Sequence, residues 1–101
     1  MDYSLPELLN RAIERHKRGD HDQAKKYYLE LLREKPNHVD ANHNMGILEA
    51  KFGNTDNAIL YFMKPVMQKS TNSQHWLSCI QALLDLEQLK KAEEILHRSH
   101  G

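Results

Sequence analysis

Apolar residues recur at intervals of three and four from the start of the chain. Leu5, Leu8, Leu9, Ala12 and Ile13 form a single stripe, the period of a helix with one buried face. Ser4-Leu5-Pro6-Glu7 precedes it as a capping box with proline just inside the helix start, where a missing N–H costs nothing. Gly19-Asp20 closes this helix and opens the next, with Asp20 as cap and Gln23 three residues on. The second helix is predicted to stop before Pro36, because the residue preceding a proline is pushed out of helical geometry. The cycle then repeats. Helices are predicted at about 39–51, 55–68, 74–86 and 89–99, separated by Gly53-Asn54, Ser70-Thr71-Asn72-Ser73 and Glu87-Gln88. Few residues favour strands. The short connections make consecutive helices antiparallel hairpins.

The hairpins repeat in sequence as well. Ala12, Gly19, Ala24 and Tyr28 become Gly46, Gly53, Ala58 and Phe62 at an offset of 34, and Ala92 and Leu96 carry the last two positions on at the same offset. The first two copies also share Asn10/Asn44, Ile13/Ile47, Asp22/Asp56 and Tyr27/Tyr61, whereas in the third Glu87 replaces the glycine and Ile80 the small residue. A fixed period of this length belongs to stacked helical units, which build a grooved surface for a partner and not a closed pocket for chemistry. The expectation is one all-α domain over 1–101, a solenoid of about six helices in three repeats at roughly 5–38, 39–72 and 73–101.

The small residues at Ala12 and Gly46, the glycines at 19 and 53, the alanines at 24, 58 and 92, and the aromatics at Tyr28 and Phe62 resemble the tetratricopeptide repeat, with Pro36 at its closing proline and Trp76 at its opening aromatic. The resemblance implies a concave surface lined by the first helix of each repeat. Its lining positions fall on Leu9, Asn10, Ile13, His16 and Lys17, on Asp40, His43, Asn44, Ile47 and Lys51, and on Gln74, Leu77, Ser78, Gln81 and Asp85. Asn10 and Asn44 fall where repeats of the O-GlcNAc transferase type carry an asparagine ladder, whose amides hold an extended peptide by its backbone. Ser78 breaks the ladder at its third rung. The carboxylate-clamp subset of the family is disfavoured, since its positions hold Leu9, Ile13 and Ser78, with only Asn44 fitting. A narrower resemblance, over Gln74–Leu83, is to repeats that precede glycosyltransferase or sulfotransferase regions in bacterial proteins.

These features imply a non-enzymatic scaffold that holds a peptide segment of a partner protein. The alternatives are a docking arm of a larger transferase and a self-assembling module that pairs through apolar stripes at its ends. The last predicted helix, with Leu89, Ala92, Ile95 and Leu96 on one stripe and charges around the rest, is expected to cap the stack. The second helix of repeat two is apolar nearly all round, which fits an internal position.

Composition removes other classes. Fourteen basic and fourteen acidic residues cancel, so no nucleic-acid or anionic-membrane partner is expected. No apolar run reaches the ~20 residues of a membrane span, and MDYSLPELLN lacks the form of a signal peptide. A soluble, cytoplasmic protein is the expectation. The single Cys79 rules out an internal disulfide. His75/Cys79 and His97/His100 are each spaced to share a helix face, but a structural zinc site needs about four ligands. Cys79 has no local cation to activate it, and Glu93-Glu94 diverge on a helix. No cofactor is expected. Pro65 falls inside the fourth helix, where it removes the hydrogen bond to the Tyr61 carbonyl and is expected to bend or shorten that helix, altering the curvature of the stack.

Overall fold

The computed structural model describes residues 2–100, with side chains over 2–98. Five helices follow one another: α1 (Leu5–Lys17), α2 (His21–Glu34), α3 (Val39–Lys51), α4 (Thr55–Met67) and α5 (Ser73–His100). Among the described residues there is no strand. The helices stack side by side into a slab of 55 × 29 × 21 Å.

Local chemistry sets the first four helices. The Ser4 hydroxyl accepts from the Glu7 N–H at 3.3 Å, and the Glu7 carboxylate accepts from the Ser4 N–H at 3.2 Å, completing the expected capping box. Asp20 caps α2 through the Gln23 N–H. The His38 ring does the same for α3 through the Ala41 N–H. Helices α1 and α3 both end on a glycine in the left-handed region, Gly19 at φ 81° and Gly53 at φ 78°. In each case the next two N–H groups return to the last turn: Gly19 to His16 and Asp20 to Arg15, then Gly53 to Ala50 and Asn54 to Glu49. This paired closure satisfies carbonyls that the helix end would otherwise leave open. Helix α4 closes in the same way, through Lys69 to Val66 and Ser70 to Pro65, but with Lys69 itself at φ 58°. Pro65 lies buried in the last turn of α4, which runs only to Met67.

The core has two parts. Leu8 and Ala12 of α1, Ala24, Tyr28 and Leu31 of α2, and Ala41, Met45 and Leu48 of α3 form the larger one. Ala58, Ile59 and Phe62 of α4 with Cys79 and Ala82 of α5 form the smaller. Small side chains at positions 12, 24 and 58 bring paired helices close, and Tyr28 and Phe62 fill the space beyond, as the repeat implies. Helix α4 touches both α3 and α5. It is nonetheless not buried all round, because Leu60, Met63 and Met67 face solvent.

The last third of the chain departs from expectation. Helices predicted at 74–86 and 89–99 are one continuous 28-residue helix, so there are two hairpins and a long fifth helix in place of three hairpins and six helices. The reason lies at Glu87-Gln88. A left-handed turn at Glu87 would cost ~1–2 kcal/mol that glycine avoids, and Gln88 offers no capping oxygen of the favoured kind. Leu, Glu, Gln and Lys all propagate a helix well. The Lys91–Glu87 ion pair, 3.3 Å, spans the place where the break was expected. Residues 87–98 consequently continue along the axis of α5 with every side chain exposed; Leu89, Lys90 and Glu93 border only an open hollow beside Gly53–Asn57, and the segment does not fold back to cap the stack.

Candidate functional site

The first helices α1, α3 and α5 lie on one side of the slab, and two hollows open between them. One, of about 380 Å³, is lined by Ile13, His16 and Lys17 of α1, Asn44 and Ile47 of α3, and Tyr28 of α2. The other, of about 340 Å³, is lined by Ile47 and Ala50 of α3, Phe62 of α4, and Gln74, Leu77, Ser78, Gln81, Ala82 and Asp85 of α5. Ile47 lines both, 39% exposed, and joins them into a single groove across the three helices.

Ten of the residues expected on the concave surface therefore line this groove: Ile13, His16, Lys17, Asn44, Ile47, Gln74, Leu77, Ser78, Gln81 and Asp85. Leu9 packs against the main core and contributes little surface. Asn10 is exposed outside both hollows. Lys51 is drawn to His21, with Nζ 3.4 Å from the ring Nε2. Asp40 is exposed, 3.8 Å from His75 Nε2. His43 is buried beneath the groove and not on it. Tyr28, Ala50, Phe62 and Ala82 also line the groove, although repeat position alone does not mark them: the two aromatics fill space between helices and still reach its floor.

Beneath the groove a polar joint ties α3 to α5. The Ser78 hydroxyl accepts from Gln74 Nε2 at 3.2 Å and shares a hydrogen bond of 3.0 Å with His43 Nε2. The His43 ring stands 4.6 Å from that of His75, whose Nδ1 lies 2.7 Å from the Ser70 hydroxyl. Trp76 donates its indole N–H to the Ser70 carbonyl at 2.7 Å. Burial pushes the His43 pKa down, and the neighbouring His75 adds to this; a hydrogen bond with Asn44 and the Asp40 charge oppose it more weakly. This environment favours the neutral form of the His43 ring. The Tyr28 hydroxyl lies 3.3 Å from His16 Nδ1, and burial drives its pKa up to about 12, opposed more weakly by the Asn44 amide.

The electrostatics of the rim are asymmetric. His16 and Lys17 stand at the α1 end and Asp85 at the α5 end, where Gln81 Nε2 donates to its carboxylate at 2.9 Å. Burial lowers the His16 pKa, helped by His21 and Lys51. On the flank between α2 and α3, the enclosed Glu49 carboxylate meets Lys25 Nζ at 3.2 Å and accepts from Asn54 Nδ2 at 2.9 Å. Burial pushes its pKa up, but hydrogen bonds from Asn54, Lys25 and Asn57 outweigh that and hold it below the usual range.

The remaining candidate chemistry has no such geometry. Cys79 is buried in the smaller core, and burial raises its thiol pKa, the reverse of what a nucleophile needs. Cys79 packs against α4 in the smaller core, whereas His75 lies against His43 and Asp40 of α3, and the side chain of His100 lies outside the described residues. Among the described residues, no three His, Cys, Asp or Glu side chains are grouped so that they could hold a metal ion. A larger hollow of about 460 Å³ lies away from the groove, between Gly53–Asn57 and Leu86, Leu89, Lys90 and Glu93 of α5. No helix among the described residues is long and apolar enough to cross a membrane.

Residues 8–38, the α1–α2 hairpin and the turn after it, match the sequence profile of the tetratricopeptide repeat family. The match covers less than half of the chain and stops before α3 and the Gln74–Leu83 segment. No curated protein matches the chain. Tetratricopeptide repeats are commonly protein-interaction modules.

Proposed function

We propose that the domain is a non-enzymatic scaffold whose groove holds a segment of a partner protein. One observation carries this: ten of the fifteen positions that the repeat assigns to a concave surface line two hollows joined through the half-exposed Ile47. An apolar floor of Ile13, Ile47, Leu77 and Phe62 supplies contact area, and Gln74, Gln81 and the free capacity of Asn44 supply hydrogen bonds to a backbone. The rim charges favour a segment with acidic residues over α1 and basic residues over Asp85.

The test is a random peptide library selected on the intact chain, followed by affinity measurements with two variants. Ile47→Asp puts a charge on the floor of the groove and should weaken the selected peptides by about tenfold or more. Leu60→Asp, on the opposite side of the slab, should leave them unchanged. Asn44→Ala should weaken binding by a smaller factor without unfolding. Selected peptides that bind Ile47→Asp as tightly as the parent chain would sink the proposal.

A further inference from the structure

The repeat register defines a seat for a second helix on each first helix. In the first hairpin, Ala24 and Tyr28 of α2 are buried with Leu8 and Ala12 of α1. In the second, the Phe62 ring lies against Gly46 of α3. Further along at the same offset, the positions equivalent to Leu8 and to Ala12/Gly46 are Trp76 and Ile80 of α5, and Leu83 follows on the same helix face. They are large and apolar, and 39%, 51% and 48% exposed. Among the described residues, none of the three belongs to a buried core cluster.

The segment that matches this seat is present but displaced. Ala92 and Leu96 stand in register with Ala24/Tyr28 and Ala58/Phe62. Because α5 runs straight through Glu87-Gln88, Ala92 lies about 18 Å along the helix from Ile80 at 1.5 Å per residue, and Leu89 and Leu96 are 49% and 59% exposed. Each copy therefore carries an empty seat and an unseated helix built for one. We infer that residues 89–98 of one copy occupy the Trp76–Ile80–Leu83 seat of a second copy of this chain, packing antiparallel as α2 does on α1.

The geometry also fixes the form of the assembly. At 3.6 residues per turn, the stripe Trp76, Ile80, Leu83 and the stripe Leu89, Ala92, Leu96 point to nearly opposite sides of α5. A straight helix cannot offer both stripes to the same neighbour. The contact is therefore head-to-tail, each copy seating its helix on one neighbour and receiving another, and association continues past two copies. The groove plays no part in it, so this inference stands or falls separately from the proposed function.

Sedimentation equilibrium of the intact chain, from micromolar to millimolar concentration, tests it. The average mass should climb above twice the 11.8 kDa of one copy. Ile80→Glu spoils the seat and Leu96→Glu spoils the helix. Both residues are exposed, so helical circular dichroism should not change, and each variant alone should stay at the mass of one copy. Mixed in equal amounts, the two should pair and stop at two copies, because one intact seat and one intact helix remain. A mass of one copy at every concentration would overturn the inference. So would a plateau at two copies for the unaltered chain, or a mixture of variants that fails to pair, as expected if a foreign amphipathic helix were the occupant.

Discussion

Replacing Gly46 with alanine separates packing from helix propensity, because the two act in opposite directions. Gly46 lies in the interior of α3 with ordinary helical geometry. There, alanine would stabilise an unconstrained helix by about 1 kcal/mol. A Cβ at this position, however, would lie 2.5 Å from Cδ1 and Cε1 of Phe62 and 2.9 Å from its Cζ, against an optimum of about 3.5–4.0 Å. The ring must retreat by about 1 Å. It has little room, being buried between α3 and α5, with the His43 ring 5.7 Å from its own centre and His75 beyond that. Overpacking of this kind costs about 1–3 kcal/mol, and the constrained ring puts the cost in the upper part of that range.

Gly46→Ala should therefore be destabilised by about 1–2 kcal/mol after the propensity gain is subtracted, a fall in Tm of roughly 5–10 °C for a domain of this size. Urea unfolding followed by circular dichroism measures it. Phe62→Leu, which shortens the opposing side chain, should recover stability in the Gly46→Ala background, with a coupling of about 1 kcal/mol or more in the double-mutant cycle. A Gly46→Ala domain as stable as the parent, or a coupling near zero, would refute the argument.

Lys69→Gly should raise stability by about 1 kcal/mol, ~5 °C in Tm, because Lys69 alone among the described non-glycine residues has positive φ and glycine removes that strain; thermal melts read it directly. Acid should loosen the α3–α5 joint. Burial depresses the pKa of His43 and of His16, so their contribution is complete above the unfolded value of about 6.5 and is lost as pH falls from there through the folded values. Urea midpoints measured between pH 7.5 and 5 should fall with pH, and His43→Gln should flatten that slope.

The first two hairpins were legible because their boundaries rest on residues whose local chemistry is nearly independent of context. Ser4 and Glu7 cap each other, Asp20 caps the next helix, Gly19 and Gly53 take the left-handed turn, and Pro36 stops α2. None of these needs a distant partner. The fate of positions 87 and 88 follows the same rule, which the period does not overrule. A 34-residue offset fixes which side chains have equivalent faces, but only a glycine or a capping residue makes the chain turn. Glu87-Gln88 has neither, and α5 continues. The groove was legible to the extent that it depends on faces, as with Ile13, Ile47, Leu77 and Gln81. It failed where a side chain is captured across the stack: Lys51 by His21 and His43 by Ser78. Those pairings join different repeats, 30 and 35 residues apart, and depend on the spacing between stacked helices. The same reasoning makes α5 the informative element of the chain. Its sequence keeps the faces of a complete third repeat while lacking the turn that would let one copy use them, and that mismatch leaves a matched pair of apolar surfaces on every molecule.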